Sequence, residues 1–125
     1  CGMGRSEKGL KEAIAEVQQI RKEFFANVRV PNHSEYMNTE LTKALRVADF
    51  IDLGELMCID ALNRNESCGG HFREEFQTED GEALRDDENF KYVAAWEWTG
   101  DPSGPKLNKE DLIYENIKVQ QRSYK

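Results

Sequence analysis

The sequence predicts a mainly α protein. Residues 1–75 read as an antiparallel long-helix bundle portion, and residues 76–125 as an acidic loop, a small C-terminal β-hairpin and a tail packed on the same domain. Three observations carry this reading. Apolar residues recur at helical spacing through two long stretches with no proline inside either. The composition turns acidic after Gln77, and an aromatic run then leads into a dense Gly/Pro turn.

Ser6 is positioned to cap the first helix, and Leu10, Ile14, Val17, Ile20 and Phe24 follow at gaps of 4, 3, 3 and 4. That spacing puts them on one stripe of a 3.6-residue helix, with Lys8, Glu12, Glu16 and Lys22 spread over the rest. The helix should run from Ser6 to Ala26 and stop before Pro31, whose predecessor is pushed out of helical geometry. Val28 to Met37 reads as a loop. Asn38 then reads as an N-cap, and Thr39-Glu40-Leu41 opens a second periodic segment that reaches Arg64 with only Gly54 to weaken it. Its apolar residues, from Leu41 and Leu45 through Ile51 to Leu62, make a stripe too wide for a helix with one wet side. One long helix packed on more than one side is the simplest reading; two helices broken near Asp49 or Gly54 is the alternative.

Gly69-Gly70 should end that helix. Thr78 to Asn89, with Glu79, Asp80, Glu82, Asp86, Asp87 and Glu88, reads as a solvated loop, because like charges at such density repel. Tyr92 to Trp98 is strand-like, with Trp96 and Trp98 on one face, more often as core than as a stacking platform. Gly100 to Pro105 is a strong turn signal, and Leu112 to Val119 supplies the second strand candidate. A strand pair is marginal alone and needs something to pack on.

A chain of 125 residues is one domain or part of one. Its net charge of −7 and pI of 4.9 argue against a nucleic-acid or anionic-membrane partner, since phosphate contacts need clustered Lys and Arg. At 38% hydrophobic and 33% charged it is polar for a globular domain, so part of its apolar surface should need a partner. No apolar run approaches the roughly 20 residues of a membrane-spanning helix. The opening Cys1-Gly2-Met3-Gly4-Arg5 leads into charged helical sequence, not a secretory signal. Cys1, Cys58 and Cys68 are too scattered for a disulfide framework or a zinc site, and the odd count suits a reducing compartment. Without an export signal, the glycosylation patterns Asn32-His33-Ser34 and Asn65-Glu66-Ser67 read as coincidence.

Motifs for chemistry are sparse. His71 and Glu74 stand three apart, as some carboxylate-bridged metal ligands do, but a working site needs three or four ligands and the other histidine, His33, is in a loop. Gly2-x-Gly4 before a helix resembles a phosphate loop only faintly, since no strand precedes it and Glu7 stands where a dinucleotide fingerprint needs glycine. Cys68 beside His71 could form a nucleophile pair, but nothing orients the histidine and no oxyanion donor is evident. No catalytic, cofactor-binding or metal residues are assigned.

Met37-Asn38-Thr39-Glu40-Leu41, the long apolar helix, and Arg64-Asn65-Glu66-Ser67-Cys68-Gly69-Gly70-His71-Phe72-Arg73-Glu74-Glu75 together resemble one family. They look like the C-terminal helical domain of the succinate dehydrogenase/fumarate reductase flavoprotein subunit. There an (M/W)-N-T-x-L start leads a long helix into R-x-E-S-R-G-A-H-x-R-x-D. Asp87-Glu88-Asn89-Phe90 matches the family's acidic pair and aromatic, and Gln121-Arg122-Ser123-Tyr124 resembles its terminal I-R-S-Y. Cys68 replaces the usual Arg and Gly70 the usual Ala; the insertion around Thr78 to Arg85 and the long turn also depart from the pattern. These differences bear on subtype, dehydrogenase or fumarate reductase.

The resemblance implies that this chain is a non-catalytic domain buttressing the FAD domain of a parent subunit, which oxidises succinate to fumarate or the reverse. FAD, often bound covalently to a histidine, and the residues holding the dicarboxylate would lie on flavin and capping domains absent here. It further implies an iron-sulfur subunit and a membrane anchor as partners, with the complex peripheral on the cytoplasmic face of the inner membrane. The family-motif positions that map onto this chain are Asn38, Thr39, Leu41, Arg64, Glu66, Ser67, Gly69, His71 and Arg73. The last six should form a docking network: Arg64 or Arg73 pairing with Glu66, Ser67 satisfying backbone groups at the helix end, Gly69-Gly70 making the turn.

Family members carry one more helix before the position of Cys1, so the bundle should be a truncated three-helix, spectrin-repeat-like one. The stripe of Leu10, Ile14 and Val17 would then be uncovered and prone to self-association. Two other readings remain open at this point, a free-standing helical interaction module and, distantly, a small metal hydrolase on His71 and Glu74.

Overall fold

The computed structural model describes residues 1–31, 36–100, 104–121 and 123. The chain divides into two compact units, Cys1 with Lys8–Leu62, and Gly2–Glu7 with Asn63–Lys125. The architecture is mainly helical with a small antiparallel hairpin near the C-terminus.

In the first unit, α1 (Glu7–Asn27) begins immediately after Ser6, and its last residue lies one beyond the predicted Ala26. Asn38 caps α2 (Thr39–Asn63): its Oδ1 accepts the Leu41 N–H at 3.0 Å. Residues 32–35 of the intervening loop, including His33 and the Asn32-His33-Ser34 pattern, lie outside the described residues. The helices run antiparallel. Leu10 packs with Cys58 and Ala61, Gln18 donates to Glu55 Oε1 at 2.7 Å, and Arg21 bridges Asp52 at 2.8 Å and Glu55. Residue numbers therefore rise along one helix as they fall along the other.

α2 runs unbroken through Asp49 and Gly54, so the two-helix alternative is not adopted. One glycine costs only about 1 kcal/mol in a helix, too little to break one this long. Two expectations are corrected. The helix ends at Asn63, well before Gly69-Gly70. It is also not packed on more than one side within its unit: Cys58 and Ala61 are buried, while Leu45, Phe50 and Leu53 are more than half exposed. α1 covers a single stripe of α2, and that contact ends the matching. For the same reason the Leu10, Ile14, Val17 stripe is not the uncovered flank, since Leu10 is 3% exposed in the core and Ile14 packs against it.

In the second unit, β1 (Gly4–Arg5) pairs in parallel with β2 (Phe72–Arg73), Gly4 opposite Phe72 and Arg5 opposite Arg73. The acidic stretch is not the solvated loop its charge predicts. Gln77 bridges Ala83, a turn between them is closed by the Gly81 N–H on the Thr78 carbonyl, and Gly81 takes φ +79. A short helix, α3 (Asp87–Phe90), follows; the Asp86 side chain caps it by accepting the Asn89 N–H, and Arg85 pairs with Asp87. These contacts use the acidic side chains as caps and ion-pair partners, which outweighs their mutual repulsion.

β3 (Tyr92–Glu97) pairs antiparallel with β4 (Lys106–Asp111), Tyr92 opposite Asp111 and Glu97 opposite Lys106. Leu112 to Val119 is not the second strand. Pairing resumes directly after the turn, because a short connection brings Lys106 back opposite Glu97 at the least loop-closure cost. Asp101, Pro102 and Ser103 of the predicted turn lie outside the described residues, as do Arg122 and Tyr124 of the terminal motif. Gly100 and Gly104 flank the turn at φ +70 and +103. Trp96 is half-buried on the face shared with Tyr92 and Ala94, whereas Trp98 lies past the strand end and is 82% exposed, so the two do not form one buried pair. Among the described residues no helix is long and apolar enough to cross a membrane.

Candidate functional site

The second unit is organised around the chain that leaves α2. Arg64 lies just past that exit and reaches forward within the unit. Its Nε donates to Glu66 Oε1 at 2.8 Å and its Nη2 to the Phe90 carbonyl at 2.5 Å, while its guanidinium lies over the Phe90 and Tyr92 rings at 5.9 and 5.6 Å. Glu66 is 2% exposed, and its second oxygen accepts the Asp86 N–H at 2.9 Å. A carboxylate so removed from water needs each of these partners.

Ser67 is fully buried. Its Oγ accepts the Arg73 N–H at 2.8 Å and donates to the Arg73 carbonyl at 3.2 Å, closing both backbone groups of one residue with one hydroxyl. Cys68 and His71 then exchange backbone hydrogen bonds, N–H to carbonyl at 2.8 and 3.1 Å, across Gly69-Gly70. Gly69 takes φ +59, the conformation the first central residue of such a turn requires.

His71 is held at both ring nitrogens. Nδ1 meets Arg5 Nη1 at 2.7 Å and Nε2 meets the Arg64 carbonyl at 2.9 Å. A guanidinium can only donate and a carbonyl only accept, so the ring is the neutral Nε2–H tautomer. Burial pushes its pKa below the ordinary value, the charges of Arg5, Arg64 and Arg73 push the same way, and the Arg64 carbonyl opposes them. Arg73 is 1% exposed; its Nε donates to Glu75 Oε2 at 3.0 Å, and its guanidinium lies 5.4 Å from the Phe76 ring centre. Glu75 Oε1 accepts the Glu7 N–H, the main reason its carboxyl lies below the usual range, with Arg73 adding to it.

The motif residues thus divide. Arg64, Glu66, Ser67, Gly69, His71 and Arg73 converge, whereas Asn38, Thr39 and Leu41 belong to the start of α2 in the first unit. Arg64 is the arginine that pairs with Glu66; Arg73 pairs with Glu75. Ser67 serves the backbone of β2 and not the helix end, where His71 takes the Arg64 carbonyl instead. Arg5 and Asp86 are members that the motif alone did not reveal, and Glu75 and Phe90, which lie within the matching stretches, were given no role there. Asp86 had a readable signal, a capping residue three before Asn89; Arg5 had none, because its role depends on a strand pairing distant in sequence.

This geometry weighs against the minor chemical readings. His71 has no free nitrogen for a metal or for a Cys68 thiol, and no group of three His, Cys, Asp or Glu among the described residues could hold a metal ion. Gly4 is a strand residue and the Gly2 carbonyl accepts from Arg5 Nε at 2.6 Å, so Gly2-x-Gly4 is no phosphate cradle. The residues present do not fit a flavin: the cluster's cations are directed at carboxylates, carbonyls and rings of the same chain. An open depression of about 510 Å³ beside the cluster is lined by Asn63, Asn89, Phe90, Tyr92 and Lys109 among others, and these groups also face one another. Asn89 donates to Asp86, and the Lys109 ammonium sits 4.2 Å from the Tyr92 ring centre.

Comparison with known proteins agrees with the motif. The profile of the family described as "Fumarate reductase flavoprotein C-term" matches residues 1–124. The fumarate reductase flavoprotein subunit of Serratia sp. (strain ATCC 39006) is 29% identical over 99% of this chain and 20% of its own length. That of Proteus vulgaris is 32% identical over 90% of the chain and 18% of its own length, and that of Mycobacterium tuberculosis (strain ATCC 25618 / H37Rv) 34% over 72% and 14%. The chain thus spans a fifth or less of these curated relatives. With the helix start, the Arg64–Arg73 cluster and this match in agreement, the chain belongs to the family of the fumarate reductase flavoprotein C-terminal domain.

Proposed function

We propose that this chain is the non-catalytic C-terminal domain of an FAD-dependent succinate dehydrogenase/fumarate reductase flavoprotein, and that its Arg64–Arg73 cluster buttresses the FAD-bearing domain of the parent subunit. The observation that carries this reading is the buried cluster itself. Glu66, Ser67 and Arg73 are nearly or fully inaccessible and all engaged within the chain, so the segment is built to hold a shape. A rigid turn at the end of a long helix suits docking.

The exposed apolar flank of α2 with Leu45, Phe50 and Leu53 supports the same reading, because exposed large apolar side chains on one helix mark an interface. Its occupant would be the flavin or capping domain of the same subunit; in the chain alone this flank would favour self-association. FAD, the hydride transfer between flavin and dicarboxylate, an iron-sulfur subunit and a membrane anchor would all belong to the parent complex, peripheral on the cytoplasmic face of the membrane. No step of the reaction is assigned to a residue of this chain.

Arg64→Ala and Glu66→Ala in the complete subunit test the proposal. Each should lower bound flavin per polypeptide and the thermal midpoint together, and unchanged flavin content and stability would overturn it. Reading the gene upstream of Cys1 is an independent check, since the proposal requires an open frame encoding a Gly-rich flavin-binding βαβ unit.

A further inference from the structure

The segment Gly2–Glu7 precedes α1 in the chain yet packs with residues beyond Asn63. Its attachment is short. The Phe72 N–H donates to the Met3 carbonyl at 3.3 Å, the Glu74 N–H to the Arg5 carbonyl at 2.8 Å, and the Glu7 N–H to the Glu75 carboxylate. Among the described residues, Arg5 on His71 Nδ1 is the side-chain clasp from β1 onto the Cys68–His71 turn. A two-residue parallel pairing gains little from its ladder alone, so the clasp decides whether it stays closed.

We propose that His71 is an acid-operated latch: neutral, it fastens the strand β1 to β2, and its protonation releases β1 from β2 while the Glu7 N–H stays on Glu75. The argument is one of donors and acceptors. Nε2 is committed as a donor to the Arg64 carbonyl, so an added proton can go only to Nδ1, the atom that accepts from Arg5. The 2.7 Å contact would then set N–H against N–H and cation against cation.

The surroundings leave the added charge uncompensated. Arg5 meets the ring from β1, the charges of Arg64, just past α2, and of Arg73, on β2, act on it as well, and Cys68 pairs with His71 across the turn. The nearby carboxylates are committed elsewhere, Glu66 to Arg64 and Asp86 N–H, Glu75 to Arg73 and Glu7 N–H. Glu74 is exposed, its carboxylate beside Gly4 of β1. Burial and the three arginines lower the ring's pKa from its ordinary 6.5. The clasp is therefore complete above 6.5 and lost as pH falls from there through the lowered value. Within that window the open fraction rises by about tenfold per pH unit, as expected for one proton. Glu75, a carboxylate with its own pKa lowered, lets go only in stronger acid.

Hydrogen exchange read by mass spectrometry on the full chain between pH 7.5 and 4.5, corrected for intrinsic exchange, follows the Phe72 and Glu74 amides, with the Glu7 amide, held by Glu75, as the internal control. Exchange at the imidazole C2 reports His71 ionisation in the same samples. The expected result is loss of protection at the Phe72 and Glu74 amides, and not at Glu7, with a midpoint matching His71, below 6.5. His71→Asn keeps an acceptor toward Arg5 but cannot ionise, and should abolish the step. The proposal is overturned by protection that does not change over this range, by a step that survives in His71→Asn, or by His71 ionising at or above 6.5. If His71→Asn fails to fold, agreement or disagreement of the two wild-type midpoints decides.

Discussion

Ser67 and Glu66 show how much one buried polar side chain can carry. The Ser67 hydroxyl satisfies both the N–H and the carbonyl of Arg73, at a position with no access to water. Ser67→Ala leaves a buried N–H without a partner, and urea unfolding should register a loss of about 1–3 kcal/mol. Ser67→Thr should lose stability as well, because an extra methyl has no space in a fully buried site. Gly69 differs in cause. A Cβ there meets nothing within 4 Å, so Gly69→Ala is opposed only by the backbone at φ +59. The expected cost is about 1–2 kcal/mol, again by urea unfolding, with little change in structure.

At the scale of elements, the long helices were the most legible parts. Five apolar residues at helical spacing just after Ser6 placed α1, and Asn38 placed the start of α2. Asn38→Ala should cost about 1 kcal/mol by loss of that cap. Gly54→Ala should have the opposite sign, since it lies mid-helix with open space around the added Cβ, and should raise stability by about 0.5–1 kcal/mol. Thermal unfolding followed by far-UV circular dichroism resolves both. The hairpin was half legible. Tyr92–Glu97 announced itself by its aromatic and alternating residues, but Lys106–Asp111 is Lys-Leu-Asn-Lys-Glu-Asp, with one apolar residue in six. Its strand state comes from its partner across the turn and not from its own propensity.

On the scale of the whole molecule, burial is unevenly distributed. Leu10 sits in the contact with Cys58 and Ala61, while Phe50 is 65% exposed on the same helix pair. Leu10→Ala should therefore cost about 2–4 kcal/mol and Phe50→Ser less than about 0.5 kcal/mol, both measured by urea unfolding. Equal costs would mean that α2 presents a different face to α1. Acid should weaken the second unit before the first, because His71 and Glu75, two groups with lowered pKa, both lie there. Stability that depends on neutral His71 is present above 6.5 and declines as pH falls below it.

Periodicity, capping residues and a spaced motif were enough to specify two long helices, the first strand of the hairpin and the family, because each is written in residues close together along the chain. The membership of the polar cluster was not. Arg5 reaches His71 across 66 positions and Asp86 reaches Glu66 across 20, and no local pattern encodes such pairs. Which apolar stripe is covered was likewise decided in three dimensions: hydrophobic spacing marks every side able to be buried, but the position of α1 selects the one that is.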